Sequence, residues 1–343
     1  MDAGRRLAAS MPKAAWLGRV YRRKGRERLR AGLLPVEFGG HAADDPGEAL
    51  GSNNFASEDE DVTVSATWGA LTHAGVVRSH NQDAVVCVPP VFAVADGMGG
   101  HAAGDVASQI AARHLSSFAG AAGIDGETVT AACRAANAEI LHRGRTEPEL
   151  AGMGTTVAGV ALSRTPAGQA VLVFNAGDSR VYCFENGRLT QVSEDHSLVA
   201  EMVAAEQISP AEALEHPQRN VVTRALGVED ELVVDTWLFD VSGPQRFLVC
   251  SDGLTNEVSD DEIALALERT AEPRRCAEQL LDLALARGAR DNVSVIVLDL
   301  VPGEQIRNEP VSSLDAETTP RTDLARAVPG ALIDSVPGFR TSA

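Results

Sequence analysis

Five aspartates sit where apolar runs begin or end. Val91-Phe92-Ala93-Val94-Ala95 leads into Asp96-Gly97, and Val171-Leu172-Val173-Phe174-Asn175-Ala176-Gly177 into Asp178-Ser179-Arg180. Phe247-Leu248-Val249-Cys250-Ser251 leads into Asp252-Gly253, and Arg290-Asp291-Asn292 opens the run Val293-Ser294-Val295-Ile296-Val297. Asp83 closes Arg78-Ser79-His80-Asn81-Gln82-Asp83 ahead of a further run. A single aspartate at a strand end is a turn former or a helix cap. A set of five, two followed directly by glycine, reads differently. Strands of packed sheets end together in space, and their terminal carboxylates repel unless a cation lies between them. Oxygen-only ligation selects a hard cation, Mg²⁺ or Mn²⁺. Glycine lets backbone approach closely and frees a carbonyl as a ligand. The chemistry expected of such a site is hydrolysis at phosphorus by metal-activated water.

The elements that must position these residues lie between 62 and 300. Strand candidates are Ser65–Thr72, Ala84–Val88, Val91–Ala95, Thr155–Leu162, Ala170–Asn175, Arg180–Phe184, Val233–Phe239, Arg246–Cys250 and Val293–Leu300. Asn186-Gly187 between two of the apolar runs signals a tight hairpin. Helical patterns cover Ala103–Phe118, Glu127–Arg143, Asp260–Arg269 and Pro273–Arg287. Short connections between strands favour antiparallel sheets with helices outside, an α+β layered sandwich.

Composition narrows the function classes. The chain has 343 residues, 44% of them hydrophobic and 4% aromatic, which supports a core built from Ala, Val, Leu and Ile. A formal net charge of −18 argues against nucleic acid as the partner, because phosphate backbones require a basic face. It leaves room for phosphate chemistry where bound cations supply positive charge. Residues 1–40 hold ten basic and three acidic side chains, and 41–61 hold seven acidic and none basic. These two segments cancel, so the acidic excess belongs mainly to the block 62–300. Residues 1–61 read as a basic arm and an acidic linker, and 301–343 as a Pro/Ser/Thr-containing tail, both largely disordered. The cysteines Cys87, Cys133, Cys183, Cys250 and Cys276 include no C-x-x-C pair and read as buried reduced thiols, which fits a cytoplasmic location. No apolar stretch reaches the roughly 18 residues of a membrane span, and the N-terminus lacks the apolar centre of a signal peptide.

The motifs Gly75-Val76-Val77-Arg78-Ser79-His80-Asn81-Gln82-Asp83, Ala95-Asp96-Gly97-Met98-Gly99-Gly100-His101, Gly154-Thr155-Thr156, Gly177-Asp178-Ser179-Arg180, Ser251-Asp252-Gly253 and Arg290-Asp291-Asn292 carry a resemblance. In this order they resemble the successive motifs of the metal-dependent, type 2C protein serine/threonine phosphatases, and the Asp-Gly-Met-Gly-Gly-His form resembles the bacterial branch. The resemblance implies a four-layer α-β-β-α sandwich, two antiparallel sheets flanked by helices, with two core Mn²⁺ or Mg²⁺ ions at one edge. It implies that Asp96 bridges the two ions, that the Gly97 carbonyl ligates one, and that Asp252 and Asp291 complete the other. Asp83 acts mainly through metal-bound water, and Asp178 with Asp252 holds a weaker third ion. Arg78 grips the substrate phosphate, its planar fork matching phosphate oxygens. A metal-bridging hydroxide attacks phosphorus, so no Cys or Ser nucleophile is expected. Eukaryotic relatives carry a histidine directly after Asp-Gly where this chain has Met98. His101 is nearby in sequence, with loop packing its favoured role over general acid catalysis. The segment His196–Arg224 resembles the family's flap, with His196, His216 and Arg219 as candidates to face phosphate.

The implied partners are phosphorylated proteins and the Ser/Thr kinase that modifies them. The N-terminal arm, with Trp16, Leu17, Val20 and Tyr21 among basic residues, is favoured as solvated over contact with an anionic membrane surface. Ser312, Ser313, Thr318, Thr319 and Thr322 offer the tail to a kinase on composition alone. One rival is a phosphatase dedicated to a single regulatory phosphoprotein of the sigma-factor-control type. A catalytically dead binding module predicts missing ligands, whereas Asp96, Asp252 and Asp291 are all present. A two-metal phosphodiesterase predicts a basic channel that the acidic block does not provide.

Overall fold

The computed structural model describes residues 21–23, 64–99, 103–121, 123–165, 168–241 and 243–302. Two antiparallel sheets form the centre. The first takes its strands from Tyr21–Arg23 (β1), Asp83–Val88 (β3), Val91–Met98 (β4), Gly154–Thr155 (β5), Val157–Thr165 (β6), Gly168–Ala176 (β7) and Asp235–Asp240 (β10). Their order is β1-β10-β7-β6-β4-β3, with β5 also paired to β4. The second runs β2-β12-β11-β8-β9, from Val64–His73 (β2), Arg180–Glu185 (β8), Arg188–Gln191 (β9), Gln245–Cys250 (β11) and Val293–Pro302 (β12).

Continuous apolar runs mark strands buried on both faces. Phe92, Val94, Val160 and Val173 of the first sheet meet Val181, Phe247, Val249, Ile296 and Leu298 of the second. On the outer face of the first sheet lie Ala103–Ser116 (α1) and Gly126–Thr146 (α2), whose Ile110, Leu115 and Ile140 cover Ala93, Ala95 and Phe174. The other outer face is covered by Asp260–Arg269 (α6) and Pro273–Ala286 (α7), whose Ile263, Ala277 and Leu280 pack on Leu248, Val295 and Val297. The layers are therefore α-β-β-α, as expected.

Three differences from the sequence reading have local causes. The single strand expected over Thr155–Leu162 is broken at Thr156, whose hydroxyl accepts from the Asp96 amide at 3.1 Å and bonds Ser179 Oγ at 2.8 Å. β10 begins at Asp235 because Leu232 and Val234 turn instead into the core under α2. A short helix, Asp252–Thr255 (α5), follows β11 directly.

The segment 196–224 carries Leu198–Ala204 (α3), capped by Ser197, and Pro210–Glu215 (α4), started by a Ser209/Glu212 capping box. Its two ends return to one place. Thr223 N donates to His196 O, Leu198 N donates to Val221 O, and Ser197 bridges to Val222.

Apart from Tyr21–Arg23, which pair antiparallel with β10, the arm and linker readings lie outside the described residues, as do the tail from Gly303 and the motif residue His101. No helix among the described residues is long and apolar enough to cross a membrane.

Candidate metal centre

The five aspartates reach one edge from both sheets. Asp83 starts β3 and pairs in register with Asp96 near the end of β4. Asp178 lies in the turn between β7 and β8, Asp252 opens α5 after β11, and Asp291 stands two residues before β12. Glycine after two of them permits the close approach. A Cβ on Gly97 would meet Gly104 O at 2.2 Å, and one on Gly253 would meet Asn292 O at 1.9 Å.

Burial and the fields of neighbouring carboxylates raise Asp83, Asp96, Asp178 and Asp252 together. Asp83 is pushed up to about 7 by burial, with Asp252 and Asp291 adding to it and the hydroxyls of Ser294 and Ser251 opposing. Asp96 is held well above the usual carboxylate range by burial and by the fields of Asp83, Asp252, Asp178 and Asp291. Asp178 rises to about 8 through burial, then Asp252 and Asp195. Burial and Asp291 raise Asp252, while hydrogen bonds from Asp96 and Asn256 hold it back. A group of carboxyls that shift one another in this way is an interacting cluster.

Polar partners hold the cluster in place. Ser251 Oγ and Ser294 Oγ donate to Asp83 Oδ2 at 2.9 and 2.7 Å. These bonds cross between the layers, since Asp83 belongs to the first sheet, Ser294 to the second, and Ser251 directly follows the second sheet's β11. Asp83 Oδ1 is buried with no hydrogen-bond partner. Asn256 Nδ2 donates to Asp252 Oδ2 at 3.0 Å. Arg78, more than half exposed, donates to Asp291 Oδ2 at 2.9 Å. Behind Asp178, Arg180 forms a fork to both oxygens of Asp195 and donates to Tyr182 Oη, which donates to Asp260 Oδ1.

The flap histidines do other work. His196 is buried, and its Nδ1 accepts from Gly177 N at 3.0 Å while its own amide donates to Gly177 O. Its Nε2 lies 2.8 Å from Arg224 Nη1 and 3.4 Å from Asp235 Oδ2, and Arg224 Nη1 also donates to Asp235 Oδ1 at 3.1 Å. His196 thus braces the turn that carries Asp178 rather than facing substrate. His216 ends α4, its Nδ1 accepting from Gln218 N, and Arg219 is an exposed residue of the same turn. Burial pushes the thiol of Cys276 up to about 11 and those of Cys133, Cys183 and Cys250 up to about 12, which leaves them inert as nucleophiles.

Among the described residues no three His, Cys, Asp or Glu side chains stand already gathered as a metal cage. The donor chemistry nevertheless fits hard cations. The ligand atoms are oxygens, they raise one another's protonation, and the orphaned Asp83 Oδ1 lacks a positive partner. The serines that hold Asp83, the Thr156–Ser179 pair and the Asn256 anchor were not singled out from the sequence. Thr156, Ser179 and Ser251 stand inside the quoted motifs with no role assigned, and Ser294 and Asn256 lie just outside them.

A family model described as protein phosphatase 2C matches residues 75–283. The serine/threonine protein phosphatase PstP of Mycobacterium tuberculosis is 37% identical over 275 residues, covering 78% of this chain and 52% of that protein. The chain therefore spans about half the length of this mycobacterial relative. The serine/threonine phosphatase stp of Listeria welshimeri is 36% identical over 239 residues, covering 66% of this chain and 93% of that protein. The crystal structure of the PstP catalytic domain in complex with two manganese ions superposes with a TM-score of 0.64 at 36% identity, covering 70% of this chain and 100% of that one.

Proposed function

Because this chain belongs to the protein phosphatase 2C family, in its bacterial branch, we propose that it hydrolyses phosphoserine and phosphothreonine on proteins, reversing a Ser/Thr kinase. The observation that carries this reading is the buried cluster of mutually raised aspartates, with Asp83 Oδ1 unpartnered, set beside a guanidinium at its exposed edge.

Asp96 and the Gly97 carbonyl, with Asp252 and Asp291, are the proposed ligands of two Mn²⁺ or Mg²⁺ ions. Asp83 acts through water, and Asp178 with Asp252 serves a weaker third ion. When bound, the ions supply a water activated for attack on phosphorus and neutralise the cluster. Arg78 binds the phosphate oxygens, its fork held at the edge by Asp291. Ser251 and Ser294 orient Asp83, and the Thr156–Ser179 pair sets the Asp96 backbone between strands. The inert thiols and the commitment of both serine hydroxyls to Asp83 support hydrolysis without a phosphoenzyme.

The block 62–300 is the proposed catalytic domain and 196–224 its flap. Cysteine side chains that are all free support a reducing, cytoplasmic setting. Phosphate release from a phosphothreonine peptide, measured with Mn²⁺, with EDTA and with Asp252→Asn, tests the reading. Activity that survives EDTA overturns it.

A further inference from the structure

Asn292 commits its whole side-chain amide to one loop. Its Nδ2 donates to Ala74 O and to His80 O, both at 3.0 Å, and its Oδ1 accepts from Gln82 N at 2.8 Å. These three bonds reach the start, the far side and the end of the loop that carries Arg78. The backbone of Asn292 faces the same edge, since its amide donates to Asp291 Oδ1 at 2.9 Å while Asp291 Oδ2 takes Arg78. The loop lies hard against this strand start. Gly75 has φ of +78°, and a Cβ there would stand 2.2 Å from Asp291 O. Val76 N adds a bond to Ala289 O at 2.9 Å.

We propose that Asn292 is a positioning residue for phosphate recognition. By clamping residues 74–82 to the start of β12, it fixes the reach of Arg78 over the carboxylate edge. The residue type matters. A buried aspartate at 292 would keep the bond to Gln82 N but set an acceptor against two carbonyls, and alanine would leave both carbonyls without donors. The inference rests on the phosphatase reading for its kinetic consequence and on the structure alone for the clamp.

The test uses Asn292→Asp and Asn292→Ala in the full chain, with thermal midpoints showing that each variant folds. Amide hydrogen exchange should accelerate in 74–82 and not in the sheets. With a phosphothreonine peptide, KM should rise about tenfold or more while kcat and the Mn²⁺ activation midpoint stay within about threefold. In an Arg78→Ala background the same substitutions should add no further loss in KM, because both changes remove one function. Unchanged exchange in 74–82, or effects on KM that add fully to those of Arg78→Ala, would overturn the proposal. If the wild-type protein shows no Mn²⁺-dependent activity, the phosphatase reading fails, and the exchange measurement still decides the clamp.

Discussion

Asp83 and Asp96 stand directly opposite each other on the β3–β4 ladder, a cross-strand pair of two buried carboxyls. Like charges placed opposite each other on a sheet destabilise it. The arrangement is tolerated without bound cations only while protons neutralise it.

Stability without metal should therefore fall as pH rises. Asp83 and Asp178 are raised from an ordinary 3.8 to about 7 and about 8. The folded state binds more protons than the unfolded state between those limits. The stabilisation is present in full below about 4 and is lost as pH climbs through 7 and 8. Thermal melts in EDTA should show a lower midpoint at pH 8 than at pH 5.5, and the gain on adding Mn²⁺ should be larger at pH 8. A higher midpoint at pH 8 in EDTA would contradict this account.

Asp252→Asn should separate stability from activity. It removes one charge from the cluster, so the EDTA-treated variant should melt at or above the wild-type midpoint at pH 8. Phosphopeptide hydrolysis should drop by more than about 100-fold, beyond the range typical of groups that only support ligands. Calorimetric titration should show weakened Mn²⁺ binding. A variant that keeps wild-type Mn²⁺ affinity would remove Asp252 from the ligand set.

Ser294→Ala deletes the shorter of the two hydroxyl bonds to Asp83, at 2.7 Å. The expected result is roughly a 10- to 100-fold loss in Mn²⁺ affinity with the fold retained, the usual cost of removing an orienting partner. Ser251→Ala should act in the same direction. Equal Mn²⁺ binding by wild type and both variants would show that Asp83 needs no such support.

Arg78→Lys tests the shape of the cation rather than its charge. A lysine cannot present two parallel donors to phosphate oxygens. The value of kcat/KM for a phosphothreonine peptide should fall roughly 100-fold, with Mn²⁺ affinity within about twofold of wild type. A loss confined to metal binding would show that Arg78 serves Asp291 and not the substrate.

Much of this site is legible in sequence because the aspartates follow or precede runs too apolar to be anything but buried strands. The layers were legible for the same reason, and Asn186-Gly187 marked the β8–β9 turn, where both residues adopt positive φ. The supporting hydroxyls were not legible. Ser251 and Ser294 meet Asp83 across 168 and 211 residues of chain, reaching it from the side of the other sheet. No local periodicity encodes that meeting, which depends on how the sheets are stacked. His196 misled for a related reason. A histidine beside an acidic site suggests phosphate contact, yet tertiary packing turns it inward to Gly177. The break at Thr156 was hidden because threonine suits a strand as well as the bend that its hydroxyl makes there.

The closed neck of the 196–224 segment has a consequence for how such chains diversify. Its ends are stitched by the His196–Thr223 and Leu198–Val221 bonds, and His196 is itself anchored to the Asp178 turn. The entropic cost of closing a loop grows only slowly with its length, so residues beyond such a neck can be lengthened, shortened or exchanged at small cost. The stretch between Val199 and Asn220 is thus an interchangeable cassette. Its exposed residues can be exchanged while the sheets and the carboxylates beneath keep their register.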